Sequence, residues 1–348
     1  MSALLLPTDP HDALKEAVAA AAKLLGEGEL VALPTETVYG LGADALRPEA
    51  VAKIFEAKER PSFDPLIVHL PTVSDLPRVA VVPEGLEKLI RQLTTRFWPG
   101  PLTILLPRTD AVPDLVTAGL PNVAVRVSAH PVFRKIIQTF GNPIAAPSAN
   151  RFGSLSPTSA SAVAVELGDR IPLIVDGGAC AHGLESTIIA PELPEREGGK
   201  PILRLLRPGP ILPSDLKLVG KVLAGEDARR DTDTAPEAPG RLSSHYAPKT
   251  PLRLLEKPDD FAPEAGRRYG LLSYRGLDND GYLGLADWAF MEVLSPKKGK
   301  LPEAAVRFFH SLRQLDQAGL DEIIAEPIPE RLLGVALMDR LRRAAAAR

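Results

Sequence analysis

The sequence predicts an α/β protein of two domains, and three observations lead there. Short apolar runs of strand length alternate with amphipathic helical stretches through roughly the first 212 residues, the pattern of a mixed sheet flanked by helices. Composition then breaks at Glu226–Thr250, where Asp, Thr, Pro, Ala and Arg dominate and large apolar residues almost vanish. Strands and helices resume beyond that break, and a chain of 348 residues is long enough for two cores. The boundaries expected are a first domain over 1–212, a linker over 213–250 and a smaller α/β domain over 251–348.

In chain order, Leu14, Val18, Ala21 and Leu25 repeat at helical spacing within Asp12–Leu25, and Gly26 and Gly28 end that helix. Leu30–Leu33 is a buried-type strand stopped by Pro34, which has no N–H for a ladder. The hydroxyl-rich turn that follows, with Thr35, Glu36, Thr37 and Tyr39, runs into Gly40 and Gly42. It reads as a loop whose glycines let something approach the backbone. Pro48–Lys58 starts with the favoured proline and puts Val51, Ile54 and Phe55 on one helical face. Pro61 and Pro65 forbid a helix in the next segment. Leu66–Leu70, Leu102–Leu106, Asn122–Val127, Ile144–Ala146, Leu173–Asp176, Thr187–Ala190 and Ile202–Leu206 read as strands. Glu84–Phe97, Val132–Phe140 and Ser159–Leu167 read as helices, the last with Ser156-Pro157-Thr158 as its cap and first turn. Leu216–Leu223 is expected as a short helix. In the tail, Leu252–Leu255, Tyr269–Ser273, Phe290–Leu294 and Glu322–Glu326 are strands, and Glu303–Gln317 and Leu332–Ala347 are helices. That is a βαβ pattern calling for a parallel sheet.

Several function classes are excluded. The 45 % apolar and 24 % charged residues are those of an ordinary globular chain. No apolar run nears the roughly 18 residues of a membrane span, and the opening MSALLLP lacks the basic region of a signal peptide. One cysteine, Cys180, excludes an internal disulfide and a cysteine-based zinc site, which fits a cytoplasmic protein. A net charge of −3 argues against a general nucleic-acid binder, so any anion must be met by a local cluster of Lys and Arg. There is no GxxxxGK[ST], GxGxxG, GxSxG or HExxH motif.

Arg126 is the most informative candidate. It interrupts Val123–Val127, a run otherwise suited to a sheet core, where a guanidinium is costly unless an anion meets it. That anion is either internal, Asp44 or Glu36, or a bound carboxylate or phosphate. His69, ending Leu66–Val68, is either a satisfied core histidine or a ligand contact. Lys58 and Arg60, stiffened by Pro61 and Pro65, form either a solvated turn or a phosphate grip, and Arg207 before Pro208-Gly209 has the same character. Ser148, Asn150 and Ser186-Thr187 are small polar groups at strand ends, suited to a turn or to a ligand.

Taken together, PTETVYGLGAD (34–44), KERP (58–61), PLIVH (65–69), VAVR (123–126), PSAN (147–150), SPT (156–158), ESTI (185–188) and RPG (207–209) resemble, in order and approximate spacing, the YrdC-like threonylcarbamoyl-AMP synthases. SHYAP (244–248) and the tail resemble the long, two-domain form of that family. The resemblance implies an open twisted sheet around a basic cavity, a Rossmann-like second domain, and a linker over the cavity mouth. It implies condensation of L-threonine, bicarbonate and ATP to threonylcarbamoyl-AMP and pyrophosphate, with Mg²⁺ carried mainly by the phosphates. A separate complex would then pass the group to tRNA. The threonine pocket would be Thr37, His69, Arg126, the backbone at Ala146, and Ser186. The ATP side would be Lys58, Arg60, Asp64, Asn122, Ser148, Asn150, Ser156, Arg207 and Tyr246, with Lys58 and Arg60 neutralising charge in the reaction. Asp64 stands where the family generally has Asn, and Asn122 where it has Thr. Two rivals are a hydrogenase-maturation carbamoyltransferase, whose zinc fingers a single cysteine forbids, and a non-enzymatic RNA-binding or ribosome-maturation module, against which the net charge speaks.

Overall fold

A computed structural model describes residues 2–61, 64–194, 196, 198–228 and 246–346. Ser62, Phe63 and residues 229–245 of the expected linker, Ser244 and His245 among them, lie outside the described residues. The chain forms two compact units. The first comprises Met1–Phe152, Pro157–Cys180 and the described part of Glu185–Arg241. The second comprises Gly153–Ser156, Ala181–Leu184 and the described part of Leu242–Arg348. Two short loops that lie within the sequence span of the first unit therefore belong to the second.

The first unit contains β1 (Leu4–Pro7), α1 (His11–Gly26), β2 (Val31–Leu33), β3 (Gly40–Asp44), α2 (Pro48–Lys58), β4 (Ile67–His69), α3 (Glu87–Phe97) and β5 (Leu102–Pro107). It continues with α4 (Asp114–Thr117), β6 (Asn122–Arg126), α5 (Pro131–Phe140), β7 (Ile144–Ala145), α6 (Ala160–Leu167), β8 (Leu173–Asp176), β9 (Thr187–Glu192), β10 (Ile202–Arg207), α7 (Pro213–Leu216) and β11 (Lys221–Leu223). Its strands form one mixed sheet in the order β1-β8-β2-β3-β7-β4-β6-β5-β9-β10-β11. Both faces are covered. Val31 and Leu33 join Val18 and Leu25 of α1 and Phe133 and Ile136 of α5 in one core. Ala32, between them in sequence, joins Val51 and Ile54 of α2, Ile90 and Leu93 of α3 and Val163 of α6 in the other. This explains why the strand reads as an unbroken apolar run: alternate side chains enter two cores. Each fully buried Leu, Ile or Phe contributes roughly 1.5–3 kcal/mol.

One strand was not expected: Leu4–Pro7 is an edge strand parallel to β8. Three expectations need correction. Gly40–Asp44, expected as loop, is a strand antiparallel to β2, so the polar turn is the tip of a hairpin. A Cβ on Gly40 would come within 3.2 Å of the Ala146 Cβ, a tight contact, so the close approach is by the segment that follows β7. The cap of α6 is Ser159, whose hydroxyl accepts the Ala162 N–H at 3.3 Å, rather than Ser156-Pro157-Thr158. Leu216–Leu223 is the end of α7 followed by a strand, β11, added to β10; valine and leucine there fit the sheet edge.

The second unit contains β12 (Leu252–Leu254), β13 (Tyr269–Ser273), β14 (Phe290–Val293), α8 (Leu301–Gln317), β15 (Glu322–Ala325) and α9 (Leu333–Ala345). Its four strands are all parallel, in the order β12-β15-β13-β14. Its core includes Leu255, Phe261, Tyr269, Leu271 and Ile324.

Candidate functional site

Arg126 closes β6 beside His69 of β4, in parallel register. The guanidinium is 3 % exposed. One terminal nitrogen lies 2.5 Å from a Glu36 oxygen and the other donates to the Thr37 hydroxyl at 3.1 Å. Ser128, two residues past the end of β6, donates to the other Glu36 oxygen. Burial pushes the Glu36 carboxyl up, but Arg126 and the Ser128 hydroxyl outweigh it and hold it at about 2. Of the two partners open to Arg126, the internal one is therefore present as Glu36. The Nε of Arg126 nevertheless makes no hydrogen bond, so one donor is left for a ligand.

The turn carrying Glu36 and Thr37 is held by Thr35. Its hydroxyl accepts from the N–H groups of Thr37 and Val38 at 3.1 and 3.2 Å and donates to the Val38 carbonyl at 2.6 Å. Glycine is not required at this tip because a side-chain hydroxyl supplies the turn bonds. His69 is 2 % exposed, 4.7 Å from the Phe133 ring, and its Nδ1 has no hydrogen bond. Burial, then the nearby Arg126 charge, lower its pKa well below the ordinary value, so the imidazole is neutral. The Ala146 N–H is taken by the Ile67 carbonyl at 2.9 Å.

A second cluster gathers cations. Helix α2 ends because Glu59 is left-handed (φ 53°), and the Arg60 N–H returns to the Phe55 carbonyl at 2.9 Å. This leaves Lys58 on the final turn, 1 % exposed, its ammonium donating to the carbonyls of Ser148 (2.6 Å) and Asn150. The segment bearing those carbonyls is pinned along β3: Ala149 N–H donates to Tyr39 O at 2.8 Å, and Gly40 bridges Ser148. Burial, and next the Arg60 charge, push the Lys58 pKa well below its ordinary value. Arg60 donates to the carbonyls of Asp64 and Pro65 at 3.2 and 2.9 Å and lies 2.8 Å from the Asp64 carboxylate. Arg60 thus holds its own loop, and Asp64 supplies the anion that three cations face. Burial raises the Asp64 pKa against the pull of Arg60, Lys58 and Arg207.

Arg207 donates through Nε to the Ser186 carbonyl and through a terminal nitrogen to the Ser186 hydroxyl, both at 3.0 Å. That hydroxyl also meets Thr103 at 2.7 Å. Gly209 is forced: a Cβ would lie 2.6 Å from Thr187 N and 2.7 Å from Glu185 O. Asn150 is buried, its amide donating to Arg151 O at 2.8 Å. Asn122 opens β6, half-buried, opposite Pro107. Ser156 and Tyr246 belong to the second unit. There Tyr246 is 1 % exposed, 5.6 Å from the Phe309 ring and under the Arg340 guanidinium, and the Ala247 N–H is tied to Gly153 O at 2.8 Å.

Hydrogen bonds and charges thus join Thr37 with Arg126, Lys58 with Ser148 and Asn150, and Ser186 with Arg207. Ser128 and Thr103 were missed, although each is a lone hydroxyl at an otherwise apolar strand, the signal that singled out Arg126. Among the described residues no group of three His, Cys, Asp or Glu could hold a metal ion, and no helix is long and apolar enough to cross a membrane.

The strand ends and adjoining turns of this mixed α/β sheet carry an unspent Arg126 donor and the buried cations Lys58, Arg60 and Arg207, groups of the kind that suit small anionic ligands. Residues 23–209 match the Sua5/YciO/YrdC family model, described as telomere recombination, and residues 211–346 match the threonylcarbamoyl-AMP synthase C-terminal domain. The chain belongs to this Sua5/YrdC family, in its two-domain form. It is 40 % identical over 342 residues to the threonylcarbamoyl-AMP synthase of Pyrococcus abyssi, covering 94 % of each chain. It is also 40 % identical to that of Bacillus subtilis, covering 95 % of this chain and 93 % of the relative. The crystal structure of P. abyssi Sua5 complexed with L-threonine superposes with a TM-score of 0.80 at 36 % identity, covering 99 % of this chain and 98 % of that one.

Proposed function

We infer that the chain is a threonylcarbamoyl-AMP synthase, an enzyme that transfers an adenylyl group from ATP to carboxylated L-threonine and releases pyrophosphate. The observation that carries this is identity of 40 % to synthases along nearly the full length of both chains. The relative complexed with L-threonine supports threonine as the amino acid.

In this reading the threonine amine attacks bicarbonate, water leaves, and an N-carboxylate forms. A carboxylate oxygen then attacks the α-phosphorus and the bond to pyrophosphate breaks. Two anions must meet, so the protein's task is alignment and charge neutralisation. Arg126 Nε and the Thr37 hydroxyl would take the threonine carboxylate, with neutral His69, Ala146 and Ser186 completing that pocket. Lys58, Arg60 and Arg207 would take the triphosphate, with Ser148, Asn150 and Asn122 shaping the nucleotide side. Asp64 would act as a stand-in anion, keeping the three cations together until phosphate replaces it. Mg²⁺ would arrive with ATP and remain on its phosphates, since the carboxylate in the cation cluster is already committed to Arg60. A cytoplasmic location and delivery of the product to a tRNA-modifying complex fit the same reading. The test is pyrophosphate release from ATP with L-threonine and bicarbonate each omitted in turn. Release is expected to need both, and release indifferent to either would sink the assignment.

A further inference from the structure

The second unit holds a cavity that the reaction above does not use. Its chain leaving β13 runs to β14, the neighbour on one side. The chain leaving β15 runs into α9, which packs on β12 on the other side. Neighbouring parallel strands whose onward connections diverge leave a crevice above their C-terminal ends, where open parallel sheets bind ligands. A cavity of about 420 Å³ lies there, lined by Tyr274 after β13 and Glu326 after β15, a size that suits a small molecule.

Most polar groups of this cavity are spent on building it. Glu326 accepts the Ser273 hydroxyl at 3.0 Å and the Tyr274 N–H, fixing the floor across both strand ends. Arg275 is held by Asp280 in a two-point pair. The Tyr274 hydroxyl donates to the Gly299 carbonyl, closing one wall. Lys298 and Arg331 remain, both lining the cavity, both exposed, and neither in an ion pair among the described residues. The segments that carry Lys298 and Arg331 also place Lys297 and Leu332 at positive φ (63° and 50°), which non-glycine residues rarely adopt. Such conformations gather at ligand sites. With Arg275 and Asp280 cancelling, Lys298 and Arg331 outnumber the one remaining carboxylate, Glu326, so the lining keeps a net positive charge that calls for an anionic ligand.

We propose that this cavity binds a small phosphorylated anion, gripped by Lys298 and Arg331 over the Glu326 floor. The class includes orthophosphate, pyrophosphate and a nucleoside monophosphate, and the experiment separates them. Full-length ¹⁵N-labelled protein is titrated with orthophosphate, pyrophosphate and AMP while the amides of Gly276, Gly299 and Arg331 are followed. Saturable shifts there with one or more of the three are expected. The Lys298→Glu/Arg331→Glu variant should weaken that binding at least about tenfold with the remaining spectrum unchanged, since both side chains are exposed. Absence of saturable shifts with all three anions, or equal affinity in the variant, would overturn the proposal. Shifts at Lys58 and Arg207 report the first unit separately, so failure of one site is distinguishable from failure of the other.

Discussion

Arg126→Ala should reverse the pH dependence that Glu36 gives to stability. In the native protein burial alone would raise the Glu36 carboxyl, and Arg126 with Ser128 brings it from an ordinary 4.5 to about 2. That difference corresponds to roughly 3 kcal/mol of stability. It is present above about pH 4.5 and lost as pH falls toward 2, because the unfolded chain takes up the proton first. Without the guanidinium, burial is the dominant influence and the carboxyl rises above 4.5. The folded variant then holds its proton more tightly than the unfolded one, so stability falls as pH rises. Stranding a buried carboxylate should cost about 3–5 kcal/mol at pH 7, and clearly less at pH 5, where Glu36 protonates. Urea unfolding in a Trp288→Phe background leaves Trp98, buried in the first unit, as reporter. A gap between variant and parent that is the same at pH 5 and pH 7 would refute the pairing argument. Adding Glu36→Gln should recover part of the loss. The same variant should lose the threonine dependence of pyrophosphate release.

Lys58→Met keeps length and removes a charge that burial disfavours, so the fold should persist while kcat drops about 100- to 1000-fold, the usual effect of deleting one charge-stabilising donor; steady-state pyrophosphate release measures it. Gly209→Ala drives a methyl into the backbone at Glu185–Thr187. It should cost about 1–3 kcal/mol, seen as a lowered urea midpoint, and raise the threonine KM by displacing Ser186.

Much of the fold was legible because its signals are local. Pro48 and the Val51, Ile54 and Phe55 face set α2 at Pro48–Lys58, and alternating entry into two cores makes β2 uniformly apolar. The site was half legible. A lone Arg126 in an apolar strand announces that an anion must be near without saying which, whereas Lys58 beside Arg60 reads equally as a solvated turn, and only the fold buries it against two carbonyls. Gly40–Asp44 escaped because glycine weakens every local strand signal, and only pairing with β2 and the fit against Ala146 makes it a strand. Ser159 rather than Ser156 caps α6 because a cap depends on where the helix starts in space.

By itself the sequence determined the alternation of strands and helices, the division into two α/β parts, the single cysteine and the motifs that carry the family resemblance. Only the tertiary structure decided which anion each cation meets: Glu36 for Arg126, Asp64 for Arg60, the Ser148 and Asn150 carbonyls for Lys58. It alone assigned Gly153–Ser156 and Ala181–Leu184 to the second unit and opened a crevice between β13 and β15. The reason is physical. Propensity and periodicity act over a few residues, whereas charge pairing and strand order join residues 4 to 169 positions apart, at distances that only the folded chain sets.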